Sequence, residues 1–264
     1  MSDKIAFIVA STVDREPYLE RCIRCFKESR YFGKCDFYLY YQGSNIHEVD
    51  GIDVFTDIVI SPVLRGIFTP RYELFKRYGL AYDYVIMLDD DLFIRPDTDY
   101  YKAIDFCKKI RNVGCITVAK AKPDGKTIKR ISYPDYTLID TNGGMVFPRE
   151  SVEIILDYFK DKEKDYSEDM FWLLLYIKGK DLYNDKRSMA IHVCNRPGKS
   201  GAITGYRKMR AEKPYVPIMS EWFYDSKLIK KDYISKDKMV RDTKSLKYIK
   251  PEGLEERLRN CGYY

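Results

Sequence analysis

The chain has 264 residues, of which 45% are hydrophobic and 33% are charged, so it is long and apolar enough to fold around one substantial core. This composition excludes a disordered or fibrous protein, and no apolar run approaches the roughly 20 residues that a membrane-spanning helix needs. The seven cysteines, an odd number at irregular spacing, favour a reduced, cytoplasmic compartment over a disulfide framework.

The formal net charge of +6 is concentrated near the C-terminus. Segment 207–250 carries 13 lysines or arginines against 6 acidic residues, so the rest of the chain is close to neutral. Such a segment is typical of a surface that binds phosphate groups, and equally of a solvated tail. We predict a main domain over residues 1–206 and a basic C-terminal extension over 207–264, helical or irregular, which packs on or beside it.

The first half of the chain alternates between apolar strands and amphipathic helices. This alternation continues through Ala119 and predicts an α/β fold, with a mostly parallel sheet and helices on both faces. Ligands bind such sheets beyond the carboxyl ends of the strands. The predicted strands are 5–10, 37–41, 57–60 and 84–88, and the predicted helices are 17–30 and 70–78.

Three successive carboxylates, those of Asp89, Asp90 and Asp91, directly follow the fourth predicted strand. Like charges this close repel, so we expect a cation to neutralise them, and hard oxygen ligands suit Mg²⁺ or Mn²⁺. In an extended segment Asp89 and Asp91 point to one side and Asp90 to the other, which lets the first and third share a metal-bound diphosphate. An acidic turn or a helix cap is the structural alternative.

Several other motifs for nucleotides or hydrolysis are missing. The run 198–200 reads Gly-Lys-Ser, but a P-loop needs a glycine five residues before the Gly-Lys pair and position 193 is valine. No G-x-G-x-x-G follows the first strand, and no serine lies in a G-x-S-x-G elbow. These absences argue against P-loop enzymes, dinucleotide-binding Rossmann proteins and serine hydrolases.

The acidic strand end and its place in the chain resemble the GT-A glycosyltransferases, nucleotide-sugar-dependent enzymes with one α/β domain and a D-x-D metal motif. The resemblance covers roughly residues 4–200, and the D-x-D lies about 80 residues after the first strand, where the family has it. It implies a GT-A (Rossmann-like) fold with a mixed, mostly parallel sheet. It also implies a Mn²⁺ or Mg²⁺ ion held by Asp89 and Asp91, and a nucleoside-diphosphate sugar contacted by Asp89 and Asp90.

Four further segments resemble parts of the family that contact the nucleotide sugar. The end of the first strand implies contacts to the base or ribose, and a helix start implies a contact to the diphosphate or sugar. A glycine loop approaches the sugar, and a late loop closes over the diphosphate. Each segment has a plain structural alternative, such as a surface arginine or an Asn-Gly hairpin turn. The residues at the end of the first strand are Ser11, Thr12 and Arg15 (or Asp14), and the residue at the helix start is Arg71. The glycine loop contains Asn142, Gly143 and Gly144, and the late loop contains Lys199 and Ser200.

Two more matches concern catalysis and the metal. Glu168 and Asp169 resemble the family's E-D motif at a helix start, where Ser167 is also a natural N-cap. The resemblance makes Asp169 the base that accepts the acceptor proton in an inverting enzyme, or a positioning group in a retaining one. His192, on a predicted strand over 189–193, matches a third metal ligand, although a lone histidine in an apolar run is also typical of a core.

The resemblance implies transfer of a sugar to an acceptor hydroxyl. The acceptor is a glycan or a hydroxymethylated base of double-stranded DNA, as some bacteriophage sugar transferases use, in the host cytoplasm if the protein is viral; a protein acceptor is a third option. With DNA, the basic segment would bind phosphates and the target base would leave the stack. Two alternatives stay open: nucleotidyl transfer, with Asp140 as a further carboxylate, and a non-catalytic nucleotide- or carbohydrate-binding module.

Overall fold

The structure is a computed structural model that describes residues 3–13, 15–44, 46–94, 98–121, 144–161 and 170–192. These residues form eight strands and five α-helices arranged around one mixed sheet. None of the helices among them has the length and hydropathy of a membrane span.

The strands and helices of the first half occur where the sequence predicts them, with ends that differ by at most three residues. The strands are β1 (Ile5–Thr12), β2 (Asp36–Gln42), β3 (Asp57–Ser61), β4 (Tyr84–Asp89), β5 (Leu92–Phe93), β6 (Val113–Ala121), β7 (Met145–Pro148) and β8 (Asp181–His192). The helices are α1 (Glu16–Lys27), α2 (Phe68–Tyr78), α3 (Tyr100–Lys109), α4 (Arg149–Phe159) and α5 (Met170–Ile177).

The sheet is mixed and mostly parallel, as predicted. Its strand order is β3-β2-β1-β4-β7-β6-β8-β5, and only β7 and β5 run antiparallel to the other six described strands. The order reverses at β1, because β2 and β3 lie on one side of it and β4 lies on the other. Such a reversal opens a crevice beyond the carboxyl ends of β1 and β4, where sheets of this kind bind ligands.

Helices cover both faces of the sheet. Because successive strand residues point to opposite faces, Phe7 of β1 packs in one core cluster and Ile8 packs in the other. Helices α1 and α3 contribute to the Phe7 cluster, which we call the α1 face. Helices α2, α4 and α5 contribute to the Ile8 cluster, which we call the α2 face. The predicted arrangement of helices on both faces is confirmed.

A cluster of aromatic rings fixes β1 against the helices of the α1 face. Phe7 is completely buried, and its ring centroid lies 5.3 Å from Phe26, 5.1 Å from Tyr31 and 5.5 Å from Tyr100. Phe26 belongs to α1 and Tyr100 begins α3, so these ring contacts join both helices to the central strand. Since β1 leads into the crevice, the cluster also determines where the site lies.

We expect Phe7→Ala to lower the free energy of unfolding by about 3–5 kcal/mol, because it removes a fully buried ring and leaves a cavity. Phe32→Ala is the matched control, since Phe32 is 50% exposed and its loss should cost about 0.5 kcal/mol or less. Urea unfolding of both variants measures the difference. Equal effects would mean that the Phe7 cluster does not hold β1.

Candidate functional site

The candidate site lies at the carboxyl ends of β1 and β4. The two strands are parallel neighbours, with Ala10 opposite Asp89. Beyond this pair β1 continues to Thr12, and the chain enters α1 after Arg15, the N-cap residue of that helix. The acidic residues after β4 therefore face the start of α1. The side chains that define the site are Ser11, Arg15, Arg71, Asp89, Asp90 and Asp91.

The first two carboxylates of the triplet contact arginines on opposite faces of the sheet. Asp89, the last residue of β4, forms an ion pair with Arg71 of α2 through Oδ1 and Nη2. Asp90 forms an ion pair with Arg15 at the start of α1. This division follows from the positions of the two helices, because α2 packs on one face of the sheet and α1 packs on the other. Each carboxylate thus meets the arginine that the helix on its own face supplies.

Asp90 makes three hydrogen bonds within the protein. Arg15 Nε donates to Asp90 Oδ2 at 2.7 Å, and Arg15 Nη2 donates to Asp90 Oδ1. Ser11 Oγ also donates to Asp90 Oδ2, at 2.6 Å. The group is almost closed to solvent, since Asp90 is 3% exposed and Arg15 is 8% exposed. Both carboxylate oxygens of Asp90 therefore bind protein groups.

Asp91 contacts the same arginine as Asp90. Arg15 Nη2 lies 3.0 Å from Asp91 Oδ2, and Asp91 is buried. Strand β4 ends at Asp89, and Asp90 and Asp91 lie in a turn. The extended segment from which the sequence analysis argued therefore ends at Asp89, and Asp91 shares Arg15 with Asp90.

Two guanidinium groups neutralise most of the charge of the triplet. Arg15 and Arg71 pair with the three carboxylates, which leaves one formal negative charge among these five side chains. Charge-assisted hydrogen bonds of this kind offset the cost of removing a carboxylate from water. A metal ion is therefore not required to explain why the triplet is tolerated, contrary to the sequence-based argument. A proposal that the site binds a metal ion therefore depends on which carboxylate oxygens can serve as its ligands.

Burial and pairing shift the pKa values of the site. Burial acts to lower the pKa of Arg15, but Asp90 and Asp91 outweigh it and raise the pKa above its ordinary value. Burial raises the pKa of the Asp90 carboxyl; Arg15 and Ser11 oppose this rise, and Asp91 adds to it. Cys22 of α1 lies in the same negative field, and burial followed by Asp90 raises the pKa of its thiol well above the usual range. Cys22 is therefore a neutral thiol at neutral pH.

The groups best suited to a divalent cation are Asp89 and Asp91. The Asp89 side chain is 17% exposed, more than those of Asp90 and Asp91, and carboxylate oxygens are hard ligands. Strand β5 follows Asp91 directly, and its Leu92 pairs with His192 of β8, so the His192 backbone lies beside the acidic turn. No group of three or more His, Cys, Asp or Glu side chains could hold a metal among those that the structure describes, which exclude the His192 side chain.

Gly144 and Thr12 lie at the same end of the sheet and make contacts within the protein. Gly144 precedes β7, and a Cβ atom there would lie 2.9 Å from Leu88 Cδ2 and closer still to Tyr100 Oη. Tight packing therefore explains this glycine without a ligand. Thr12 Oγ1 donates to Val13 O at 3.1 Å, and Thr12 is buried. The proposed sugar and nucleotide contacts of Gly144 and Thr12 stay predictions.

Several predicted site residues lie outside the described part of the chain, and their roles also stay predictions. The basic segment 207–250 and both halves of the E-D motif belong to this group. The individual residues are Asp14, Asp140, Asn142, Gly143, Glu168, Asp169, Lys199 and Ser200.

Gln42 lies at the same carboxyl end of the parallel strands, and the sequence analysis did not select it. It ends β2 and lies opposite Thr12 in the parallel pairing of β1 with β2. Gln42 is 1% exposed; its Oε1 accepts a hydrogen bond from Arg65 N at 2.5 Å, and its backbone oxygen accepts one from Val13 N at 3.0 Å. It therefore connects the loop after β1 with the segment before α2. A polar residue directly after an apolar strand was the available clue, as it was for Asp89.

Comparisons with solved structures identify the fold. The chain is similar to the mannosyltransferase PcManGT from Pyrobaculum calidifontis in complex with GDP-Man and Mn²⁺, at 15% identity and a TM-score of 0.59, over 92% of this chain and 70% of that one. It is similar to residues 1–349 of S. aureus TarS in complex with UDP-GlcNAc, at 14% identity and a TM-score of 0.56, over 98% of this chain and 79% of that one.

A longer structure of S. aureus TarS matches at 15% identity and a TM-score of 0.54, over 72% of this chain but only 36% of that one. The chain thus spans about a third of the longer TarS structure. These neighbours are GT-A glycosyltransferases, and at such identities the likeness shows the fold: the chain has the predicted GT-A fold. A scan against protein-family models finds no match, and a search of curated proteins finds none either.

We expect Arg71→Met to lower the free energy of unfolding by about 3 kcal/mol, because it removes a buried guanidinium from the mostly buried Asp89. The control is Arg149→Met, which breaks a pair with Asp83 whose side chains are 44% and 45% exposed, and should cost about 1 kcal/mol or less. Thermal unfolding measures both. The double variant Arg71→Met/Asp89→Asn should regain part of the loss, and no recovery would show that the ion pair is not the cause.

Proposed function

We propose that the chain is a metal-dependent glycosyltransferase, which moves a sugar from a nucleoside-diphosphate sugar to an acceptor hydroxyl. The observation that carries this proposal is the position of three successive carboxylates, Asp89 to Asp91, at the strand-order reversal between β1 and β4 of a GT-A fold. The ligands of the structural neighbours, GDP-Man with Mn²⁺ and UDP-GlcNAc, support the kind of donor and ion.

In this proposal Asp89 and Asp91 hold a Mn²⁺ or Mg²⁺ ion, and His192 is the third protein ligand. Two hard carboxylates fit such an ion when diphosphate and water oxygens complete its shell, and the pairing of His192 with Leu92 supports the third ligand. When bound, the ion supplies positive charge that stabilises the departing diphosphate. Arg71 holds the Asp89 carboxylate in place through their ion pair.

The remaining contacts to the donor come from segments around this centre. Thr12 at the end of β1 contacts the nucleotide, and Asn142 with Gly143 contacts the sugar. Lys199 and Ser200 contact the diphosphate, where the lysine offers a second positive group as charge develops. The position of Thr12, two residues beyond the Ala10–Asp89 pair at the carboxyl end of β1, supports its part in this proposal.

We propose that Asp169 accepts the proton of the acceptor hydroxyl in an inverting reaction, with Glu168 beside it, or positions the acceptor in a retaining one. Helix α5 begins one residue after this pair, and its Phe171 ring stacks on Phe68 with centroids 4.5 Å apart. Phe68 begins α2, the helix that carries Arg71. The start of α5 next to the start of α2 supports a location for the E-D pair near the donor site.

The proposed acceptor is a hydroxyl group on a glycan or on a hydroxymethylated base of double-stranded DNA. The DNA alternative is supported by segment 207–250, whose 13 basic and 6 acidic residues suit a polyanion. A glycan acceptor needs no such segment.

We expect one nucleoside-diphosphate sugar in a screen with Mn²⁺ to be hydrolysed to nucleoside diphosphate and free sugar. Asp91→Asn should lower this turnover by about 100-fold or more, because the ion's charge stabilisation is worth several kcal/mol. Asp157→Asn is the control, since the Asp157 side chain is 79% exposed on α4. Turnover by Asp91→Asn in the presence of a chelator would contradict the metal role, and pyrophosphate release from a nucleoside triphosphate and a sugar phosphate would select nucleotidyl transfer.

If the acceptor is DNA, binding to duplex DNA should weaken steeply with salt. The slope of log K against the logarithm of the salt concentration should be about −0.9 for each phosphate that the protein neutralises. Replacing Lys230 and Lys231 by Glu should weaken binding and flatten this slope, whereas Lys160→Glu, at an exposed position directly after α4, should change it little. Fluorescence anisotropy with a labelled duplex measures both quantities. An absence of binding at low salt would remove the DNA alternative and leave the glycan.

A further inference from the structure

The Arg15–Asp90 pair has a role that neither the fold nor the D-x-D spacing assigns. We propose that Arg15 and Asp90 form a positioning clamp for Asp91, so that Arg15 sets the affinity of the site for a divalent cation through the carboxylate next to it. This inference rests on the proposed function. It makes Arg15 and Asp90 positioning residues and leaves Asp89 and Asp91 as the cation ligands.

The first step is the geometry of the guanidinium group. Arg15 Nε and Nη2 bind the two oxygens of Asp90, and Nη2 also lies 3.0 Å from Asp91 Oδ2. A guanidinium is planar and its N–H groups point in fixed directions, so the two bonds to Asp90 determine where Nη2 donates. The orientation of Asp91 therefore depends on Asp90 through one rigid group.

The second step is that the arginine itself is held in place. Arg15 is the N-cap residue of α1, and its backbone oxygen accepts hydrogen bonds from Tyr18 N at 2.9 Å and Leu19 N at 3.0 Å. Its guanidinium carbon lies 5.1 Å from the centre of the Tyr18 ring, a distance at which the ring attracts a cation. Leu19 is completely buried in the α1 face, so the clamp is anchored to the core.

The third step is that Asp90 connects three parts of the fold. It follows β4, it receives the Ser11 Oγ hydrogen bond from β1, and it pairs with Arg15 of α1. Its 3% exposure keeps water from replacing these bonds, and buried networks whose members are all bonded are rigid. Because both Asp90 oxygens bind protein groups, this middle acid serves as support. A D-x-D pair needs only two acids, and the clamp gives the third one a purpose.

A charge-preserving substitution separates positioning from simple electrostatics. Arg15→Lys keeps the positive charge, but an ammonium group cannot bind both oxygens of Asp90 and Asp91 Oδ2 with the fixed geometry of a guanidinium. Groups that orient metal ligands typically contribute 10- to 100-fold to metal affinity. We therefore expect Arg15→Lys to lower Mn²⁺ affinity about 10-fold, whereas a purely electrostatic role would leave it unchanged.

The experiment titrates Mn²⁺ into the full chain by electron paramagnetic resonance, alone and with UDP or GDP, and records thermal unfolding of each variant. Arg15→Lys is compared with Arg149→Lys, which changes the same residue type in the exposed pair with Asp83 at the other end of β4. The expected result is about 10-fold weaker Mn²⁺ binding in Arg15→Lys alone. Donor turnover should return to the wild-type rate at saturating Mn²⁺. The Mn²⁺ concentration that gives half-maximal turnover should therefore rise, while the maximal rate stays the same.

Mn²⁺ affinity within twofold of wild type in Arg15→Lys would overturn the clamp. If Arg15→Lys does not fold, Arg15→Gln/Asp90→Asn decides in the same way, because it removes one positive and one negative charge together and with them both charged members of the clamp. A wild-type chain that binds no Mn²⁺ under any of these conditions would refute the metal part of the proposed function, and the clamp with it. Normal wild-type binding with unchanged variants would refute the clamp alone.

Discussion

The structure around the site depends on the pairing of buried carboxylates with arginine. Moving a carboxylate out of water costs several kcal/mol, and an ion pair compensates for this only when the partner is close and well oriented. Asp90, at 3% exposure, meets this condition through two bonds from Arg15 and one from Ser11. The acidic turn can exist at the end of a buried strand because β1, α1 and α2 deliver these partners to it.

The sheet topology is what delivers the partners. The reversal of strand order at β1 places the ends of β1 and β4 side by side. Crossovers on opposite faces then bring the start of α1 to one side of β4 and α2 to the other. The arginines that neutralise the triplet therefore come from two different helices, and the aromatic cluster around Phe7 and the core of the α2 face hold those helices in place. The packing of these helices in the core therefore also determines where the charged groups of the site lie.

A GT-A fold by itself does not establish an activity, because folds of this kind host many reactions. The proposed glycosyl transfer rests on the carboxylates at the strand-order reversal and on the neighbours' donor ligands. The contacts inside the triplet refine that proposal. The middle residue, Asp90, has both carboxylate oxygens bound by protein groups. Of the two outer residues, Asp89 is more open to solvent than Asp91.

The sequence alone determined the elements of the first half and the place of the acidic triplet, because these depend on local periodicity. An apolar run that ends in charge marks a strand end, and helix stripes with their end residues mark α1 and α2. The GT-A resemblance also followed from motif order. Arg15 and Arg71 were selected as site residues, although as nucleotide contacts and not as partners of the triplet.

Only the tertiary structure decided which side chains meet. Arg15 and Asp90 are 75 residues apart in the chain, and their pairing depends on the register of β1 with β4 and on the entry of α1. Strand β4 ends at Asp89, so Asp91 lies in a turn and shares Arg15 with Asp90, and the pairing of β5 with β8 brings the His192 backbone to that turn. Local patterns encode each element, but contacts between distant elements depend on how the whole sheet packs, which no short stretch of sequence contains.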